Sequence, residues 1–188
     1  MGKTKAINPY VQVNGYILVS VIEGMGALKP RAYEILEDYG ISNPETDRWY
    51  PQKIWLDTLR CMGTVFGPHV VYQIGLRMPE YLTFPPATDT LEKALSVLDQ
   101  VYQRDHNGDK VGNYVFKDYG NEFATIVCSS PYPCEWDRGL IEGTVKKFKT
   151  NGLFAFVRHD LVQECRKKGD DSCTYLLSWY NPSEPRSD

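Results

Sequence analysis

The feature that most constrains the fold is a change of hydrophobic period near residue 110. Before it, apolar residues recur at helical spacing; after it, they alternate or cluster in short runs bounded by turn residues. The stretch "YPQKIWLDTLRCMGTVFG", residues 50–67, shows the first regime. Trp55, Leu59, Met62 and Phe66 fall at i, i+4, i+7 and i+11, one apolar stripe between Pro51 and Gly67. "KPRAYEILEDYG" reads the same way, with Pro30 in the first turn and Gly40 past the last. "PHVVYQIGLRMPEYL" predicts a helix opened by Pro68 and closed by Pro79. "PPATDTLEKALSVLDQVYQ" predicts one helix capped by Asp89 or Thr90, with Glu92 near its third position. "YVQVNGYILVSVIEGM" alternates at Val11 and Val13 and fits either a strand or a helix start.

Beyond the turn "NGD" at 107–109 the character is different. "VGNYVFKDYGNEFATIVCSS" predicts two strands joined near Gly120, and "GLFAFVRH" and "CTYLLSWY" predict two more. Between the pairs, "DRGLIEGTVKKF" predicts a helix with Ile141, Val145 and Phe148 on one face. Its Gly139 and Gly143 stand four apart and permit close backbone approach. Helices first, then antiparallel strands crossed by one helix, define an α+β fold. The 188 residues suit one domain over 1–180, with a polar tail, "NPSEPRSD", over 181–188.

A net charge of −3 gives no electrostatic footprint for nucleic acid. Lys146, Lys147 and Lys149 read as the solvated face of a helix. No apolar run approaches the roughly 18 residues a membrane span requires. The opening "MGKTKAINPY" lacks an apolar signal core, and Ala6 stands where a myristoylation site needs Ser or Thr. A cytoplasmic location with reduced thiols is therefore expected, and five cysteines, an odd number, argue against a disulfide framework. Phosphate-loop, dinucleotide, nucleophile-elbow and His-Glu-x-x-His signatures are missing, which favours a non-catalytic reading. "DHNGDK" has Lys110 where a calcium loop needs Gly, so it reads as a turn. His69, His106 and His159 are too scattered to nominate a catalytic base.

Three cysteines call for more. Cys165 and Cys173 bracket "RKKGDDS", whose Gly169–Asp170 turn folds the loop back on itself. Cys134 precedes a helix, where amide dipoles favour a thiolate. The three are expected to converge, because the flanking strands return Cys134 to the same end of one sheet. A metal site, a disulfide and plain packing all remain open. Three thiolates plus one histidine or carboxylate satisfy tetrahedral zinc.

"YPCEWDRGLIEG" followed by "ECRKKGDDSCTYLLSW" resembles the 4-vinyl reductase, or hydrocarbon-binding, domain family. Cys134, Gly139, Gly143, Cys165, Gly169, Asp170 and Cys173 match its pattern in order, over roughly residues 110–180. "YPQKIWLDTLRCMGTVFG" followed by "YQIGLRMPEYL" is weakly similar to the central helices of the heme nitric-oxide-binding (H-NOX) family. Both families, and the TRAPP subunits of Golgi transport, share one α+β fold, which the resemblance implies here. In aromatic-sensing members of the first family, three cysteines and a glutamate hold structural zinc. The glutamate's position is Val162, so Glu164 or His159 becomes the substitute, giving Cys134, Cys165, Cys173 and His159 as the expected set. The H-NOX heme needs a proximal histidine. Tyr102 stands at that position, His106 follows four residues on, and the Tyr-x-Ser-x-Arg propionate signature is missing, so heme is not expected.

These readings converge on a non-catalytic, sensor-type module for a small apolar or aromatic ligand. The expected pocket lies between the central helices and the sheet, lined by Trp55, Leu59, Met62 and Phe66, with Tyr114 and Trp136 from the sheet side. Ordinary core packing is the alternative for each. The alternative functions are a heme- and NO-sensing H-NOX-like protein, an accessory factor in tetrapyrrole vinyl reduction, and a TRAPP-like assembly subunit. A signal would pass through a homodimer or a partner protein.

Overall fold

The computed structural model describes residues 8–118, 120, 122–150 and 152–182. The readings made on "MGKTKA" and on 183–188 of the tail lie outside the described residues. In the first half, helices α1 (Gly15–Glu23), α2 (Lys29–Asp38), α3 (Gln52–Val65), α4 (Pro68–Tyr81), α5 (Leu91–Ser96) and α6 (Leu98–Arg104) surround a small antiparallel sheet. Its strands β1 (Gln12–Asn14), β2 (Trp49–Pro51) and β3 (His106–Asn107) run in the order β2-β1-β3. The second half is a four-stranded antiparallel sheet of β4 (Tyr114–Asp118), β5 (Phe123–Cys128), β6 (Phe154–Asp160) and β7 (Cys173–Tyr180), ordered β4-β5-β7-β6. Helix α7 (Cys134–Phe148) crosses between β5 and β6. The fold is α+β.

The helical stripe is where its spacing puts it: Trp55, Leu59 and Met62 are fully buried, and Phe66, just past the end of α3, is half-buried. Two helix boundaries differ from expectation. Helix α4 does not close at Pro79 but runs to Tyr81. Pro79 has no N–H for the Gly75 carbonyl, yet Gly75 itself is pressed against α7, and that packing holds the last turn. The single helix expected over the next segment is two, divided at Val97. Thr90 is the cap, accepting from the Lys93 N–H at 3.3 Å.

Helices α4 and α7 approach as closely as backbones allow. A Cβ added to Gly75 would stand 2.3 Å from the Trp136 carbonyl oxygen; one on Gly139 would stand 2.3 Å from that of Tyr72. At Gly143 the corresponding distance to the Leu76 oxygen is 2.2 Å. No side chain larger than hydrogen fits at these crossings.

Strand β7 alternates, burying Cys173, Tyr175, Leu177 and Trp179. Across the ladder, His159 pairs with Tyr175 and Val157 with Leu177, so His159 shares the inward face. The Tyr175 hydroxyl donates to the Cys134 carbonyl at 2.7 Å and ties β7 to the start of α7. The opposite face leaves Phe154 and Phe156 exposed, stacked near Tyr180. Among the described residues, no helix is long and apolar enough to cross a membrane.

Candidate functional site

The three cysteines come together. Cys134 is the first residue of α7, after Pro133, rather than just ahead of the helix. Cys173 opens β7, and Cys165 is held by the loop between β6 and β7: its N–H donates to the Asp170 carboxylate at 2.8 Å. Gly169 takes φ +101°, the left-handed turn that sends the chain back to β7. The Cys134–Cys173 sulfurs are 3.4 Å apart, and Cys165 lies 4.0 Å from each. All three thiols are buried and free.

His159 completes the cluster, all four ligand atoms lying within 4.8 Å of one another. Its ring stacks on Tyr175 at 4.8 Å, and its buried Nε2 has no hydrogen-bond partner. A tetrahedral site with metal–sulfur bonds of about 2.3 Å separates its sulfurs by about 3.8 Å, a value that lies between the distances found. Geometry, donor set and orphaned imidazole nitrogen all fit a metal ion. Glu164 instead accepts from Ser172 Oγ at 3.0 Å on the exposed loop, and Val162 is exposed.

Behind the thiols lies a buried charge pair. Arg166 donates from its backbone N–H and Nε to Cys173 Sγ, each at 3.5 Å, and from its guanidinium to Asp137 and to the Ser130 carbonyl. Asp137 also accepts from the Tyr114 hydroxyl at 2.5 Å and from Ser130 Oγ at 3.1 Å. Burial raises the Asp137 carboxyl above its ordinary range, against the pull of Arg166 and Tyr114. The Cys134 thiol bonds the Cys173 sulfur, and together with Arg166 this draws the Cys173 thiol below its ordinary range.

A second constellation surrounds His106. An apolar cavity of about 30 Å³ is lined by Ile17, Met78, Leu98 and Leu140, with Tyr102, His106, Tyr132 and Trp136 supplying rings. Helix α6 ends at Arg104, and His106 falls four residues after Tyr102, which brings its ring back onto the Tyr102 ring at 4.1 Å. His106 Nδ1 pairs with the Tyr102 carbonyl and Nε2 with the Tyr132 hydroxyl, each at 2.8 Å. Burial lowers its pKa to about 4, so the imidazole is neutral. Burial likewise pushes the Tyr132 phenol up, and it remains a neutral donor.

Of the six residues nominated for the pocket, Trp136 lines this cavity, from α7 rather than from the sheet. Trp55 stands behind it, edge-on at 6.4 Å, and Tyr114 is edge-on to Tyr102 at 5.0 Å. Leu59, Met62 and Phe66 pack in the core. The sequence reading passed over Tyr132 and Gln52. Gln52 is fully buried with both amide atoms unpartnered, as is the Trp55 indole N–H. The available signal was one polar residue three before Trp55, on the apolar face of α3.

No family model matches the chain, and no curated protein matches it. Solved structures do. An H-NOX protein from S. oneidensis, in its Fe(II)NO ligation state, superposes with a TM-score of 0.69 at 17% identity, covering 89% of this chain and 99% of its own. A structure from work on heme distortion in the H-NOX family gives 0.68 at 17%, covering 93% and 99%. An oxygen-binding H-NOX domain related to soluble guanylate cyclases gives 0.64 at 15%, covering 93% and 96%. The class defined is thus the H-NOX fold. The expectation that excluded heme is corrected here: structures of this fold include proteins characterised for heme distortion and Fe(II)NO ligation. Tyr102 and His106 both reach the cavity, so a tyrosine at the expected position did not remove an imidazole from it. The similarity carries no support for zinc.

Proposed function

We propose that the chain is a small-molecule sensor module of the H-NOX type, with its ligand seated in the cavity beside His106. The observation that carries this is a neutral imidazole facing an apolar, aromatic-walled cavity. Heme fits the donor set: His106 would hold the iron, and Tyr132 and Trp136 would supply the aromatic wall. At about 30 Å³ the cavity must widen to admit a porphyrin, and His106 Nε2 must exchange its Tyr132 partner. Bound there, heme would supply an iron centre for a diatomic gas. Hemin titration tests the reading: a saturable Soret band is expected, lost in His106→Ala. An identical band in that variant would overturn His106 as the ligand.

A second reading, a small apolar or aromatic ligand without heme, draws on the aliphatic walls and on the C-terminal resemblance to hydrocarbon-binding domains. It expects hemin to leave the spectrum unchanged while an aromatic hydrocarbon raises the melting temperature. In either case a signal would leave through a second copy or a partner protein. Cys134, Cys165, Cys173 and His159 are proposed to hold one thiophilic divalent metal ion that fixes the β6–β7 loop to α7. Elemental analysis should find one equivalent, and cobalt(II) exchange should give thiolate charge-transfer bands. Substoichiometric metal, unchanged on adding cobalt(II), would sink this assignment.

A further inference from the structure

The cavity beside His106 has a neighbour between the same two helices. A crevice of about 210 Å³ is walled by Val21 of α1 and by Val70, Ile74, Arg77, Met78 and Tyr81 of α4. Met78 lines both spaces. On α1, Ile17 faces the inner space and Val21 the outer; on α4, Met78 and Ile74 make the same step. Residues four apart on a helix stand one above the other, about 6 Å along the axis. The two spaces are therefore successive compartments of one crevice, divided by an unbranched, adaptable side chain.

The outer compartment carries a cation. Arg77 is exposed, donates to the carbonyl of Gly24 at the C-terminal end of α1, and forms no ion pair among the described residues. No acidic side chain lines the outer compartment; Asp105, paired with Arg104, lines the inner one. The outer compartment thus ends at a guanidinium with no counter-charge in its wall. Its present partner is a helix-terminal carbonyl, which water can satisfy once the guanidinium turns away.

We propose that this crevice takes an amphipathic carboxylate, with the carboxylate on Arg77 and the apolar body along the outer compartment of about 210 Å³, entering the inner space of about 30 Å³ only as Met78 moves aside. The inference rests on the ligand-sensing reading above and narrows its ligand to an apolar acid. A porphyrin propionate and a simple fatty acid share that chemistry. Arg77 would then serve where the Tyr-x-Ser-x-Arg signature is missing, because a guanidinium grips a carboxylate through two parallel N–H donors.

The test uses the full chain and four probes: hemin, hemin dimethyl ester, decanoate and 1-decanol. Wild type should bind hemin roughly ten- to hundredfold more tightly than its ester, the margin of a charge-assisted pair. Arg77→Gln should lose that margin, leave ester binding unchanged and leave the Soret position unchanged, since iron would sit on His106. Arg77→Lys should keep part of it. Equal hemin affinity in wild type and Arg77→Gln overturns the proposal. Should hemin fail to bind wild type, the heme reading falls, and decanoate against 1-decanol decides this one by calorimetry. Preference for the acid, lost in Arg77→Gln, supports it; equal affinities, or no binding of either, overturn it. Arg77 is exposed and the Gly24 carbonyl it bonds can take water instead, so circular dichroism should show both variants folded.

Discussion

His159 and His106 make opposite use of the same side chain. His159 stacks on Tyr175 with its Nε2 buried and unpartnered, amid three thiols. His106 has both nitrogens engaged, by the Tyr102 carbonyl and the Tyr132 hydroxyl. A buried polar atom left unsatisfied costs about 1–3 kcal/mol, so the first arrangement converges on a point that an ion would satisfy. The second satisfies itself and must exchange a hydrogen bond to bind anything. One region is a set of donors with an unpartnered nitrogen among them; the other is a closed aromatic stack. Helix α7 joins them, with Cys134 at its start and Trp136 and Leu140 on the cavity.

Breaking the join should have the largest effect. Asp137→Ala removes the carboxylate that takes hydrogen bonds from Arg166, Tyr114 and Ser130. Leaving Arg166 charged and buried should cost about 3–5 kcal/mol in urea unfolding. A loss under about 1 kcal/mol would mean that Arg166 escapes to water and that the thiol end stands independently of the core.

Acid should test the His106 region next. With a folded pKa of about 4 against 6.5 when unfolded, His106 binds its proton more readily in the unfolded chain. Stability from this group is therefore complete above about pH 6.5 and falls as pH drops toward 4, by about 3 kcal/mol at most. His106→Gln should flatten the melting-temperature profile in that window. A profile of unchanged slope would show that the ring is solvated.

Metal separates the two histidines. At a free metal concentration one hundred times the dissociation constant, binding stabilises the fold by about 2.7 kcal/mol. A chelator should therefore lower the melting temperature of wild type. His159→Ala should weaken metal retention, and His106→Ala should leave the metal content unchanged. Equal loss in both variants would erase the distinction between the sites.

How much of this the sequence disclosed follows from the range of each interaction. The α3 stripe was legible because Trp55, Leu59 and Met62 follow one local period. The convergence of the cysteines was legible because a Gly–Asp turn and a strand return are local too. His159 was named with the three cysteines, but local spacing could not choose it over Glu164, because His159 reaches Cys173 through the β6–β7 register, in which it lies opposite Tyr175, two residues from Cys173. The passage of α4 through Pro79 goes with its close packing on α7, which overrides propensity, and the break at Val97 has no local marker in the sequence. His106 was set aside by position, though its ring faces the cavity, because a four-residue offset beyond a helix end is a tertiary fact.

The smallest change bears most directly on the comparison. Tyr132→Phe keeps the ring stacked on Trp136 and deletes only the hydroxyl bonded to His106 Nε2. That would give His106 the unpartnered nitrogen that His159 has. The variant should lose about 1–3 kcal/mol of stability, the cost of leaving that imidazole nitrogen buried without a partner, with no cavity term because the ring volume is kept. Hemin should bind it more tightly than wild type, since the imidazole no longer gives up a partner on binding. Stability and affinity should thus move in opposite directions, which a variant that merely loosened the cavity would not produce, as it would lower both. Weaker hemin binding in Tyr132→Phe would show instead that the hydroxyl orients the imidazole toward the ligand, and that the aromatic stack is a positioned site rather than a closed one.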